Sequence, residues 1–415
     1  MRGEPDPVAF HSPDERAAYR YMDAMRFFAA LAVVLGHARA LVWVPPGQGD
    51  PMVPWAWTFS QFASFGHNAV MVFFVLSGFW ISHSTMRHLD GERFWPGFLT
   101  DRLSRLLVVV VPGLAFGAVL DLLGAGLFHG VAYWGGLGVL SLADGVYDRL
   151  TPQVLIGNLL FLQNFAVHTA GTNGSLWSVG YELWYYVWFA ALAVSIRRRA
   201  PSPVLLALVL GVIWPVLLLS FPVWLMGCFV HYADRRWGRR AVPSRNKARV
   251  LLAAGVLAML AAILLQRQAH VKYFIADVPF GLAFTLVLWA LLRGALPFPR
   301  WLAPFARYGA GASFSLYVTH YPLLVLTVSA IGYETRRNPD FVSCGLIVGM
   351  CLLTIAAGWL FARVTEAHTG RLRRLVRARL QPAAKGVTTQ AAAAMGPPFQ
   401  TARQKRKRVH RHETQ

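Results

Sequence analysis

Charge is scarce in this chain. Of its 415 residues only 14% are Asp, Glu, Lys or Arg, where soluble domains carry about a quarter. Hydrophobic residues make up 56%, so an ordinary soluble globular protein is excluded and a polytopic membrane protein is expected. Cysteine is nearly absent. Cys228, Cys344 and Cys351 all sit in apolar segments, and the last two lie seven apart on one helix, too distant to pair. That excludes a disulfide framework and leaves them as packing residues. No His-x-x-His pair or thiolate cluster occurs, which argues against a metal site. No cleavable signal peptide is read: Ala38-Arg39-Ala40 has the small-x-small form, but the apolar run continues past it. Neither an internal repeat nor a long soluble insertion is visible.

What the chain does have is apolar length. Segments fall at roughly 23–44, 66–86, 104–127, 175–196, 203–218, 220–233, 250–266, 273–292, 311–333 and 341–363. Most approach the ~20 residues needed to cross a bilayer. The two short ones flanking Pro222 read as a tight hairpin or tilted pair. VLIGNLLFLQNF, 154–165, is short for a span and reads as re-entrant or surface-lying. The expected fold is therefore all-α: a transmembrane helical bundle of ten spans, or eleven if 154–165 crosses. Fifteen tryptophans and 13 tyrosines suit aromatic belts at the interfaces.

Acids are outnumbered, 19 Asp and Glu against 40 Lys and Arg, for a net charge of +21. About half of that excess lies from Arg371 onward, in RLRRLVRARL and RQKRKRVHRH. With no folded nucleic-acid module beside it, this stretch reads as a disordered basic tail against anionic headgroups, and no nucleic-acid partner is expected. Other basic clusters precede the first segment and lie at Arg87 to Arg105, Arg197 to Arg199, Arg235 to Arg249 and Arg293 to Arg307. Ten spans put these clusters and both termini in the cytoplasm, with Arg336 and Arg337 on the other side. The organisation expected is a cytoplasmic segment 1–22, a membrane domain 23–365 and a tail 366–415.

Ionisable residues inside the apolar segments carry the functional signal. Arg26 and His37 are eleven apart, almost three helical turns, so they share a face about 20° wide and stand ~16.5 Å apart along the axis. Arg26 falls near the cytoplasmic surface and His37 beyond mid-membrane. Depth counting puts Glu182 and His320 within about 10 Å of the level of His37. Each histidine alone could be a satisfied core residue. Together with a carboxylate they point to a shared internal site, where the carboxylate would set a histidine's tautomer and basicity. Arg102 and Arg105 share a face at the cytoplasmic end of the third segment. They serve as topology determinants or, with Arg26, as an anion site. Ser178 and Glu182 are four apart and share a helix face. Ser178 lines a cavity in this reading, and the neighbouring Trp177 and Tyr185 are belt and packing residues or a platform for a sugar ring.

At these residues the chain resembles the acyltransferase-3 family of integral-membrane O-acyltransferases. Asp23, Arg26 and His37 match its first-helix pattern Asp-x-x-Arg-x10-His. GHNAVMVFFVLSGFWIS matches its second-helix signature around Phe73-Phe74 and Ser77-Gly78-Phe79. Arg102, Arg105 and Pro112 match its basic third-helix pattern. SLWSVGYELWYY resembles its Leu-Trp-Ser/Thr…Glu…Tyr motif, and SFSLYVTHYPL its late Ser-x-Tyr-x-x-His-x-Pro. Phe27 stands where members often have glycine, and Leu183 where some have an acid. Nothing after the last segment reads as the extracytoplasmic hydrolase-like domain that some members append.

The resemblance implies transfer of an acyl group, usually acetyl, from acyl-CoA to a hydroxyl of a carbohydrate-containing acceptor. Acyl-CoA would be a co-substrate, with no permanently bound cofactor and no metal. His37 would be general base or transient acyl carrier, with Glu182 orienting the reacting groups and His320 lining the same cavity. Arg26, Arg102 and Arg105 would bind CoA phosphates, and Asp23 would hold Arg26. Ser178, Trp177 and Tyr185 would contact the acceptor. The expected location is the cell (inner) membrane. A proton-coupled transporter could use the same buried groups, but no inverted repeat or matched pair of broken helices is visible. A small secondary metabolite is the alternative acceptor.

Overall fold

The computed structural model describes residues 13–45, 51–89, 91, 94–139, 145–237, 244–268 and 273–380. Among them every regular element is helical, and β pairing is confined to two isolated bridges, Trp43 with Arg337 and Gln163 with Val167. In chain order the helices are α1 (Pro13–Val42), α2 (Pro54–Ala63), α3 (Gly66–His88), α4 (Phe94–Phe128), α5 (Pro152–Leu159), α6 (Trp177–Arg198) and α7 (Ser202–Ile213). There follow α8 (Val216–Trp237), α9 (Arg245–Gln268), α10 (Tyr273–Leu292), α11 (Ser313–Ala330), α12 (Phe341–Val364) and α13 (Thr369–Leu380).

Eight helices among the described residues are long and apolar enough to cross a membrane. A ninth span results if the bent pair Arg300–Gly309 and Ser313–Ala330, broken by 67°, counts as one. Their outward faces are apolar: Leu257 is 66% exposed, Val250 70% and Leu360 59%. In water such a surface would be an aggregation site; in lipid it is the solvent-facing side. The chain is an all-α polytopic bundle.

The remaining segment of the ten read from sequence, 203–218, does not form a long helix. α7 has twelve residues, about 18 Å of helix against a hydrocarbon core of about 30 Å. The break comes at Trp214, with φ −125° and ψ 73°, because Pro215 disfavours the helical conformation in the residue before it. Pro222, expected between the two arms of a tight hairpin or tilted pair, lies inside α8 instead. The stretch 154–165 overlaps the eight-residue α5, capped by the Thr151 hydroxyl, which is too short to span. Between the segments 23–44 and 66–86 lies the short helix α2.

The tail expected as disordered from 366 is helical as far as 380. After the turn Glu366–His368, α13 lies along α4, with Arg377 Nη2 donating to both Asp101 carboxylate oxygens at 2.8 Å. Arg373 Nε adds a contact at 3.7 Å. The amphipathic run is thus ordered by a counter-charge on a neighbouring helix, although exposed pairs of this kind contribute only ~1 kcal/mol or less. Residues 381–415, which carry the rest of the basic tail, lie outside the described residues.

Two glycines set the crossing that positions the site. A Cβ on Gly78 of α3 would sit 2.0 Å from the Trp224 carbonyl oxygen of α8, and one on Gly227 would sit 1.9 Å from that of Val75. The backbones approach as closely as small-residue packing in membranes allows. Only then does Trp224 Nε1 reach Ser77 Oγ, at 3.2 Å. Gly78→Ala is expected to cost about 1–3 kcal/mol by overpacking against backbone that cannot yield. A lower melting temperature of the detergent-purified protein would show it.

Candidate active site

His37 of α1 and His320 of α11 are 283 residues apart in sequence and hydrogen-bonded through Nδ1 and Nε2 respectively, at 2.8 Å. Their rings are parallel within 2°, and Tyr321 packs edge-on against both. His320 is fully buried, and its Nδ1 faces the Tyr317 carbonyl oxygen at 2.7 Å.

That carbonyl decides the tautomers. A carbonyl only accepts, so His320 Nδ1 carries the proton, and in the neutral ring Nε2 is left as an acceptor. His37 Nδ1 must then be the donor to it. The lone pair of His37 is thereby placed on Nε2, which makes no hydrogen bond among the described residues. A backbone carbonyl, relayed through His320, fixes the tautomer; the expectation that Glu182 would do so is corrected.

Pro322 explains why α11 is stitched at this level. Lacking an N–H, it leaves the carbonyl four residues earlier, that of Val318, without its helical donor. Asn173 Nδ2 supplies one at 2.7 Å. Ser175 Oγ donates to Asn173 Oδ1 at 2.6 Å, and Tyr317 OH donates to the Ser175 carbonyl at 3.0 Å. The loop is anchored from its other side by Asp121, 1% exposed, whose carboxylate accepts from Thr172 N at 2.8 Å and Thr172 Oγ1 at 2.7 Å. Asn173→Ala would leave a buried carbonyl unpaired. It is expected to destabilise by about 1–3 kcal/mol, read as a lowered unfolding midpoint.

Beside the histidine pair lies a cavity lined by residues that include Arg26, Arg105, Ser178, Glu182, Tyr186 and Tyr317. Glu182 Oε1 accepts from Ser77 Oγ at 3.0 Å and from Tyr186 OH in a short contact. Ser178 Oγ and Tyr317 OH are 2.7 Å apart. Tyr317 therefore belongs to both places: its ring faces the cavity and its carbonyl orients His320. His37 and His320 do not line this cavity, so the three groups expected at one level divide into a histidine pair and a carboxylate cluster.

The cationic end is balanced by acids. Arg26 lies within electrostatic reach of Arg105, Glu366, Asp23 and Glu182. Asp23 and Glu366 each act on both arginines, without a direct ion pair between Asp23 and Arg26 among the described residues. Glu366 Oε2 is itself held by Ser315 N at 3.2 Å and Ser315 Oγ at 3.1 Å. Arg102 stands outside the cavity lining. Its Nη2 donates to Ser84 Oγ at 3.0 Å, while its Nε is buried with no partner.

Two expected acceptor contacts fall elsewhere. Tyr185 is fully buried and donates to the Leu217 carbonyl at 2.9 Å. The next residue, about 100° further round the helix, is the one that faces the cavity. Trp177 lines a separate cleft with Arg149, Asn164, Phe165 and His168. Sequence reasoning also missed Tyr186, Tyr317 and Glu366 as site residues. Tyr186 was detectable as the i+4 neighbour of Glu182, and Tyr317 stood within SFSLYVTHYPL; Glu366 carried no signal. No group of three His, Cys, Asp or Glu placed to hold a metal occurs among the described residues.

A family model described as an acyltransferase domain matches residues 19–363. An O-acetyl transferase of Shigella phage Sf6 is 28% identical over 217 residues, covering 49% of this chain and 56% of that protein. The chain thus spans about half the length of that relative. No solved structure matches.

Proposed function

The chain belongs to this acyltransferase family, and we propose that it is a membrane O-acyltransferase moving an acyl group, acetyl in the simplest case, from acyl-CoA to a hydroxyl of a carbohydrate-containing acceptor. The observation that carries the reading is the lone pair on His37 Nε2, oriented by the Tyr317 carbonyl through His320. His37 Nε2 takes the proton of the acceptor hydroxyl as that oxygen attacks the thioester carbonyl. A C–O bond forms, the C–S bond breaks, and the CoA thiolate leaves and takes the proton from His37 Nε2. His320 touches no substrate in this scheme and is a positioning residue.

Arg26 and Arg105 grip the CoA phosphates at the cavity mouth, with the unpaired Nε of Arg102 close by. Glu182 keeps Ser77 and Tyr186 in place and offsets Arg26. Ser178 and Tyr317 present hydroxyls to the bound substrates. The basic loops favour a cytoplasmic position for the Arg26 end of α1, where acyl-CoA is found. The membrane is then one that borders the cytoplasm, the cell (inner) membrane. A surface polysaccharide or its lipid-linked precursor is the acceptor that fits a reaction reaching through the bilayer.

The test is release of free CoA by the purified protein from acetyl-CoA. A rate that requires a membrane glycan extract supports transfer to an acceptor. Release that ignores the extract would mean thioester hydrolysis, and no release would refute the proposal. Hydroxylamine-labile label on His37 in the absence of acceptor would identify it as acyl carrier rather than base.

A further inference from the structure

Arg39 lies two residues beyond His37 on α1, ~3 Å further along the axis and about 160° away around it. It is partly buried, and its charged neighbour is another cation, Arg336. Among the described residues no carboxylate pairs with Arg39. A guanidinium removed from water beside a like charge is unfavourable unless an anion accompanies it.

The second arginine is held in place. Trp43 and Arg337 form a backbone bridge: Val44 N donates to the Arg337 carbonyl at 3.1 Å and Arg337 N to that of Val42 at 2.9 Å. This clamps the 336–337 segment to the end of α1. Arg336 Nη2 reaches the Gly138 carbonyl at 3.4 Å, leaving most of its donors unused. Arg337 lies over the Tyr333 ring at 4.5 Å. Among the described residues, the acids of this segment are otherwise placed. Glu334 is exposed, and the Asp340 carboxyl, which acts on Arg337, is held below the usual carboxylate range by hydrogen bonds from Ser343 at the start of α12. These arginines also stand on the face of the membrane where the charge distribution places few cations, so topology does not explain them.

We propose that Arg39 and Arg336 form an oxyanion site at the His37 end of α1 that takes a phosphate group of the acceptor, as a lipid-linked saccharide diphosphate would present. Two guanidiniums offer paired donors that match phosphate oxygens. The inference rests on the acyltransferase reading for the identity of the acceptor. A lipid headgroup carries the same chemistry and is separated by the test.

Inorganic pyrophosphate serves as the probe, titrated against the full chain in phosphatidylcholine nanodiscs with melting temperature as the readout. The wild-type protein should be stabilised, and Arg39→Gln and Arg336→Gln should each weaken the apparent affinity about tenfold. Without pyrophosphate, Arg39→Gln should melt no lower than wild type, since it removes an uncompensated charge. Equal pyrophosphate stabilisation in wild type and both variants would overturn the site, as would an Arg39→Gln protein destabilised in the absence of ligand. In a parallel series, phosphatidylglycerol nanodiscs that reproduce the stabilisation through Arg39 and abolish the pyrophosphate response would assign the site to a headgroup and overturn the acceptor source. No acyl transfer enters the readout, so failure of the acyltransferase reading would show separately, in the CoA-release assay.

Discussion

His37→Ala is expected to lower kcat/KM for acyl transfer by about 10²–10⁴-fold, the range that a positioned general base contributes. The loss should fall on kcat, with the KM for acetyl-CoA little changed, because the donor phosphates are held some three helical turns away at Arg26. The protein should remain folded, since His37 contributes a single hydrogen bond, to His320, and leaves a tightly held neighbour behind. His320→Ala provides the complementary result. It removes the group that fixes the His37 tautomer but no substrate contact, so kcat should fall with KM unchanged, and His320→Gln, which retains a hydrogen-bonding side chain, should recover part of the loss. Turnover of His37→Ala near wild type, measured on detergent-purified protein with melting checked in parallel, would remove His37 from the chemistry.

Arg26→Ala carries the second large expectation, on binding. Two arginines, Arg26 and Arg105, face three carboxylates, Asp23, Glu182 and Glu366, at this end of the cavity. Deleting one cation removes charge-assisted hydrogen bonds worth about 1.5–3 kcal/mol and leaves the carboxylates dominant. The KM for acetyl-CoA should rise by about ten- to a hundredfold. Arg26→Lys keeps the charge but loses the planar fork, and should fall between. An unchanged KM in both variants would take the donor phosphates away from this mouth.

The parts legible in the sequence are those governed by local periodicity and depth. Arg26 and His37 fall where an uninterrupted helix puts them, and counting residues from the cytoplasmic ends of two segments brought His320 near the level of His37. Ser178 and Glu182 line one cavity because four residues is about one turn. What failed depended on rotation about a helix axis or on contacts far apart in sequence. A choice of Tyr185 over Tyr186 is a 100° error, although Tyr186 stands one turn from Glu182 on the polar face of α6. The bond from Asn173 to the Val318 carbonyl joins residues 145 apart, although Pro322 announces that some donor is needed there. Glu366 lay beyond the last apolar segment, where a basic run masked it. Pro222 was read as the breaker, whereas the helix ends before Pro215 and continues through Pro222.

The central claim is that the buried groups of this bundle perform covalent transfer rather than passage of a solute. Radiolabelled acetyl-CoA, supplied to proteoliposomes of wild-type protein and of His37→Ala together with a membrane glycan extract, tests it most directly. Wild type should place label in an alkali-labile ester on the glycan, and His37→Ala should not. Solute flux across the vesicle membrane with no labelled glycan would contradict it.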